Sequence, residues 1–131
     1  MGSPNRVVGV IGGILYVLVG ALGFIATAGV AVLAPEGGLL FGMLEVNPAQ
    51  NIAHIVIGAA LLIAGLSNVE ASRRVNSIVG CAYLLLGIAG LFLIGTALNV
   101  LALNVADNVL HFGSAAVLLA VGLGADKRID A

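Results

Sequence analysis

The sequence predicts an all-α integral membrane protein whose four transmembrane helices form two tandem, duplicated helical hairpins. Three observations carry that expectation. Of 131 residues, 61% are hydrophobic and only 8% charged, at a mean hydropathy of +1.21, whereas a soluble domain is about a quarter charged. Four apolar runs are each long enough for a hydrocarbon core, which takes about 20 helical residues. The second half of the chain also repeats, in order, the polar and small residues of the first.

The predicted spans run Val7–Leu33, Pro48–Leu66, Val75–Leu98 and Val105–Gly124. No soluble domain remains outside them, so residues 1–131 form a single transmembrane domain. Arg6 precedes the first span, Arg73 and Arg74 fall between the second and third, and Lys127 and Arg128 follow the fourth. These are all the lysines and arginines, and they lie on one side. The positive-inside rule makes that side cytoplasmic and places both termini there. The opposite loops carry Glu36 and Glu45 and no cation. The N-terminal segment is too short and polar to begin a cleaved signal, so the first apolar run reads as a retained helix. Cys81, the only cysteine, permits no internal disulfide and reads as a small apolar filler.

Arg6, Gly13, Tyr16, Gly20 and Gly23 align at one constant offset with Arg73, Gly80, Tyr83, Gly87 and Gly90. Beyond the first outer loop, which is longer and contains Pro35-Glu36-Gly37-Gly38, a shorter constant offset aligns Asn47, Asn51, His54 and Gly65 with Asn104, Asn108, His111 and Gly122. Repeat halves over 6–66 and 73–124 follow. An even number of spans per half gives both the same orientation, with the pseudo-two-fold axis along the membrane normal. The expected product is a four-helix bundle. Along the second span Asn47, Asn51, His54, Gly58 and Gly65 share one helical face, and Asn104, Asn108, His111, Ala115 and Gly122 do so along the fourth. Each stripe is polar at its outer end and small further in, which permits close helix contact in lipid.

The repeated frame Asn-x-x-x-Asn-x-x-His is the most informative polar feature, because polar groups inside a membrane segment are costly. Asn47 and Asn104 read as N-caps, Pro48 as a first-turn proline, and Gln50 and Asp107 as capping-box partners three residues on. Asn51, His54, Asn108 and His111 lie past that turn, each histidine about 10 Å into its helix. Neutral imidazoles and asparagine amides each offer a donor and an acceptor. The favoured reading is an interhelical Asn/His clasp that braces the bundle. A second is a small-ligand or metal-cation site of His54 and His111 with Asp107 or Glu45 as oxygen ligands, transport then needing an oligomer. A third and least supported is bis-histidine haem, which lacks an outer cation for its propionates. Side chains lean toward their own helix N-terminus, so Tyr16 and Tyr83 lean away from the histidines and are expected to be packing residues.

The sequence lacks a hydrolytic triad or phosphate-binding loop, and five scattered cations make no nucleic-acid surface. The expectation is a non-enzymatic structural or accessory protein without a cofactor. Its partners are the lipid bilayer and, through helix packing, other membrane proteins or copies of itself. Arg73, Arg74, Lys127 and Arg128 act as topology determinants that touch anionic headgroups.

The segment Gly38-Leu39-Leu40-Phe41-Gly42-Met43-Leu44-Glu45-Val46-Asn47, leading into Asn51 and His54, and the later Ala106-Asp107-Asn108-Val109-Leu110-His111, resemble a family of small bacterial four-helix membrane proteins, domain-of-unknown-function family 4383. The resemblance covers nearly the whole chain and implies a bacterial inner-membrane location without supplying an activity. It also implies that relatives often carry a histidine where this chain has Gln50, a departure that removes one potential metal ligand.

Overall fold

The computed structural model describes residues 2–127. The elements are α1 (Pro4–Ala26), β1 (Gly38–Leu40), β2 (Leu44–Val46), α2 (Pro48–Ser67), α3 (Val69–Leu93) and α4 (Val105–Gly124). All four helices are long and apolar enough to cross a membrane, and the chain is a membrane protein. Arg128, one of the cations used to orient the sequence, lies outside the described residues.

The helix boundaries follow from local chemistry. Helix α1 begins before the expected Val7 because Ser3 caps it, accepting from the Arg6 N–H, and Pro4 occupies the first turn. It ends at Ala26 rather than Leu33. Gly29 takes φ of +80° there, a left-handed turn that glycine adopts at no steric cost, so the apolar run through Leu33 leaves the helix axis. Helix α3 likewise starts early, at Val69, where Asn68 accepts from the Ala71 N–H. Arg73 and Arg74 are therefore helical residues, not a loop between spans. It stops at Leu93, before Gly95 at φ +80°. Helix α4 has the expected bounds, and α2 runs one residue longer.

The sequence reading contained no strand, yet the longer loop folds into a β-hairpin with Gly38 opposite Val46 and Leu40 opposite Leu44. Phe41 and Gly42 turn it at φ of 55° and 66°, the paired positive values of a type I′ turn. Leu40, Leu44 and Val46 face inward against Val19, Ala26, Ala106 and Leu110. The hairpin thus closes one end of the bundle, here termed the loop end. At the opposite, termini end, Ser3 and Asn5 bond to Asp126.

Helices α1 and α2 pack along their length, as do α3 and α4, while α1 touches α3 centrally and meets α4 only sparsely. A Cβ on Gly13 would stand 2.6 Å from the Leu62 backbone nitrogen, so the first pair is in backbone contact of the kind small residues permit. The small-residue stripes serve these contacts: Gly58 faces Val17 of α1, and Gly122 faces Ser77 of α3. The core comprises Tyr16, Leu61, Val79, Tyr83, Ala115 and Leu118. Ile25 and Phe92 are 77% and 76% exposed, as suits faces solvated by lipid.

Candidate functional site

The polar cluster forms where α2 and α4 turn their first two helical turns toward the bundle centre. His54 and His111 are 2% and 0% exposed, with ring centroids 5.9 Å apart and planes at 60°. Tyr16 of α1 lies 5.3 Å from His54, Tyr83 of α3 lies 5.2 Å from His111, and the tyrosines stack on each other at 4.9 Å. The centre is therefore a closed group of four rings, one from each helix. This corrects the expectation that the tyrosines would miss the histidines. Tyr16 and His54 stand at similar distances from the termini end of their helices, and the opposite leans of their side chains are smaller than the reach of the rings.

The hydrogen bonds of the cluster also differ from the expected clasp. Among the described residues, no bond joins an asparagine to a histidine. Asn51 Nδ2 donates to Thr27 Oγ1 at 3.1 Å, while Asn51 Oδ1 packs onto Gly23, and Asn108 Oδ1 packs onto Gly90 in the same way. Both oxygens, all four imidazole nitrogens and the Tyr83 hydroxyl have no hydrogen-bond partner among the described residues. A buried polar atom left unpaired costs about 1–3 kcal/mol. The close asparagine–glycine packing explains the failed clasp, since it draws both amides toward α1 and α3 and away from the imidazoles.

The capping readings hold at three of four positions. Asn47 Oδ1 accepts from the Gln50 N–H at 2.9 Å. Asn104 and Asp107 form a full capping box, each side chain bonding the other's backbone N–H at 2.9 Å. Gln50 departs from it. With its amide turned so that the nitrogen faces the acceptors around it, Gln50 donates to the carbonyl oxygens of Leu101 at 2.7 Å and Glu45 at 3.0 Å, tying α2 to the loop preceding α4. The caps tie loops as well: Asn47 Nδ2 donates to Ala34 O and Val100 O at 3.0 and 2.8 Å, and Asn104 Nδ2 donates to Met43 O at 2.9 Å.

Among the described residues, no three His, Cys, Asp or Glu side chains are grouped to hold a metal ion. The set of His54, His111 and Asp107 is thus not assembled: Asp107 Oδ2 is engaged in its cap, and its Oδ1 has no hydrogen-bond partner among the described residues. Glu45 is drawn off too, accepting from the Gly37 N–H at 2.8 Å. A haem does not fit either. The stacked tyrosines press against both imidazoles and occupy the space a macrocycle would need.

Several polar contacts escaped the sequence reading. Ser114 shares a 2.5 Å hydrogen bond with the Tyr16 hydroxyl, and its place one turn beyond His111 was the available signal. Both line a cleft of about 650 Å³ between α1 and α4, walled by Val8, Leu15, Val109 and Val117. At the termini end, Asn5 Nδ2 donates to Val121 O and Asp126 Oδ2, both at 2.9 Å. Asn76 Nδ2 in turn donates to Asn5 O and Oδ1, both at 3.0 Å. Arg6 Nε donates to Gly65 O at 2.9 Å, meeting a free carbonyl at the α2 C-terminus.

A family model described as a domain of unknown function (DUF4383) matches residues 6–124, and the chain belongs to that family. No curated protein and no solved structure matches it.

Proposed function

We propose that this member of the family is a non-enzymatic accessory protein of the bacterial inner membrane that holds a small ligand or cation at its Asn/His cluster. One observation carries the reading. Two fully buried histidines face each other at 5.9 Å with all four ring nitrogens unpaired among the described residues. A purely bracing cluster satisfies its own donors and acceptors, because half-satisfied polar groups in a low-dielectric interior destabilise the packing they are meant to fix. A guest that bonds the imidazoles removes that cost.

In this reading the two hairpins are duplicated halves related about an axis along the membrane normal. The matching contacts of Asn51 on Gly23 and Asn108 on Gly90, and of Tyr16 with His54 and Tyr83 with His111, support it. The termini end, with Arg6, Arg73 and Arg74, faces the cytoplasm by the positive-inside rule, and the cluster sits in the outer half. Association with other membrane proteins or with itself proceeds through the lipid-facing helix surfaces.

The test is a histidine-selective ¹⁵N spectrum of the protein in lipid nanodiscs, recorded as purified from native membranes and after exhaustive washing with chelator. Release of a guest is expected to shift the imidazole nitrogens of both His54 and His111. Spectra that stay unchanged overturn the binding reading.

A further inference from the structure

We infer that the guest is a single monovalent d¹⁰ cation, of the class of copper(I), gripped in line between the His54 and His111 imidazoles. The inference rests on the binding reading above and names its ligand. The donor set is the first ground. The site offers two imidazoles, and no third His, Cys, Asp or Glu among the described residues joins them in a group. Zinc sites draw at least three protein donors and complete a tetrahedron, while magnesium and calcium demand six or more oxygens. Imidazole is a good copper ligand, and copper(I) is stable with two donors opposed across it.

Spacing is the second ground. An imidazole nitrogen bonds a first-row ion at about 2.0 Å, so two rings gripping one ion in line stand with centroids about 6 Å apart once the ring radius is added. The histidine centroids are 5.9 Å apart. The 60° between the planes is no obstacle, since rotation about the nitrogen–metal–nitrogen line leaves both bonds intact. His54 and His111 are 98% or more buried and leave every ring nitrogen free of a protein partner. Both helices start at the loop end with an asparagine cap, which holds the two histidines at matching depth.

Charge is the third. The cost of taking an ion out of water rises with the square of its charge, so a site without an adjacent carboxylate penalises a divalent ion about fourfold more than a monovalent one. The nearest carboxylate, Asp107, lies one turn away and is held in its cap through Oδ2, which accepts from the Asn104 N–H, while its Oδ1 meets no partner among the described residues. What surrounds the rings is aromatic: Tyr16 lies against His54 and Tyr83 against His111, and the negative face of an aromatic ring favours a nearby cation.

Silver(I) is the probe, since it shares the charge, the filled shell and the linear preference and is not air-oxidised. The exposed Cys81 thiol is a competing soft ligand, so the titration uses the full chain carrying Cys81→Ser, in nanodiscs. The expected result is one silver per chain, with X-ray absorption showing two nitrogen neighbours and no sulfur. Copper(I) under reductant and a competing chelator is expected to match that stoichiometry. Binding is expected to fall to zero in His54→Phe and in His111→Phe, which keep a ring in place, and to persist in Asp107→Asn. Silver held by ligands other than nitrogen, binding that survives either phenylalanine variant, or one zinc per chain lost in Asp107→Asn overturns the inference. Should the washed protein show the ¹⁵N shifts while silver and copper fail to bind, the copper(I) assignment falls and the broader binding reading stands.

Discussion

The two ends of this bundle each bury a polar cluster, and they treat it in opposite ways. At the termini end Asn5 is fully buried, yet its backbone and side chain meet Val121, Asp126 and Asn76 through bonds of 2.9–3.0 Å. At the loop end His54 and His111 are as deeply buried and meet no hydrogen-bond partner among the described residues. Burial and side-chain polarity are alike at the two ends and the degree of satisfaction differs: of the Asn5 and Asn76 amides only Asn76 Oδ1 lacks a partner among the described residues, against all four imidazole nitrogens at the loop end. A satisfied buried network specifies a unique packing, whereas an unsatisfied one costs stability. The first is the brace of this molecule, and the second is what the brace holds in position.

The largest effect is expected where the brace is cut. Asn5→Leu removes the side-chain bonds to Asn76, Val121 and Asp126 while the backbone bonds to Asn76 and Asp126 remain, and a loss of about 1–3 kcal/mol is expected. Unfolding in detergent, followed by circular dichroism, reads it. A loss below about 0.5 kcal/mol would erase the distinction between the two ends. The opposite sign is expected at the loop end. In washed protein the double change His54→Phe and His111→Phe keeps both rings and removes four unpaired nitrogens, and a gain of about 1–2 kcal/mol is expected. A clear loss on that change would mean the imidazoles stabilise the fold themselves.

The smallest effect concerns Asp126, which is half-buried and outside the spans. Donation from the Ser3 hydroxyl, and then from the Asn5 backbone N–H, holds its carboxyl below the ordinary value of 3.8. A depressed carboxyl stabilises the fold above its unfolded value and stops doing so as pH falls through its folded value. Melting temperature is therefore expected to decline below about pH 4 in the parent and to lose that part of the decline in Asp126→Asn. A profile unchanged by the substitution would remove Asp126 from the brace.

The number and type of helices were legible because four apolar runs and their asparagine and proline caps are local signals. Helix ends were less so. Val30 to Leu33 are as apolar as the helix before them, and only the left-handed turn at Gly29 separates the two. Neither strand of the hairpin carries its own signal, since Leu39, Leu40 and Leu44 are equally compatible with a membrane helix. The candidate site was legible as a list of residues. Its wiring was not, because the partners of Asn51, Asn108 and Gln50 depend on helix rotations that spacing along one helix does not determine. Tyr16 and Tyr83 stood at matching positions of the expected repeat, and their contact with the histidines emerged only from the crossing of α1 with α3.

The cap residues have a consequence for the assembly of the chain. Asn47 of the first hairpin reaches Val100 of the second, and Asn104 of the second reaches Met43 of the first. Asn5 makes similar connections at the far end, to Val121 and Asn76. The covalent junction between the hairpins is the single residue Asn68. Its main contribution is then effective concentration rather than geometry. Two separately translated hairpins retain every non-covalent contact that joins them, which makes the chain a natural substrate for fragment complementation in the membrane.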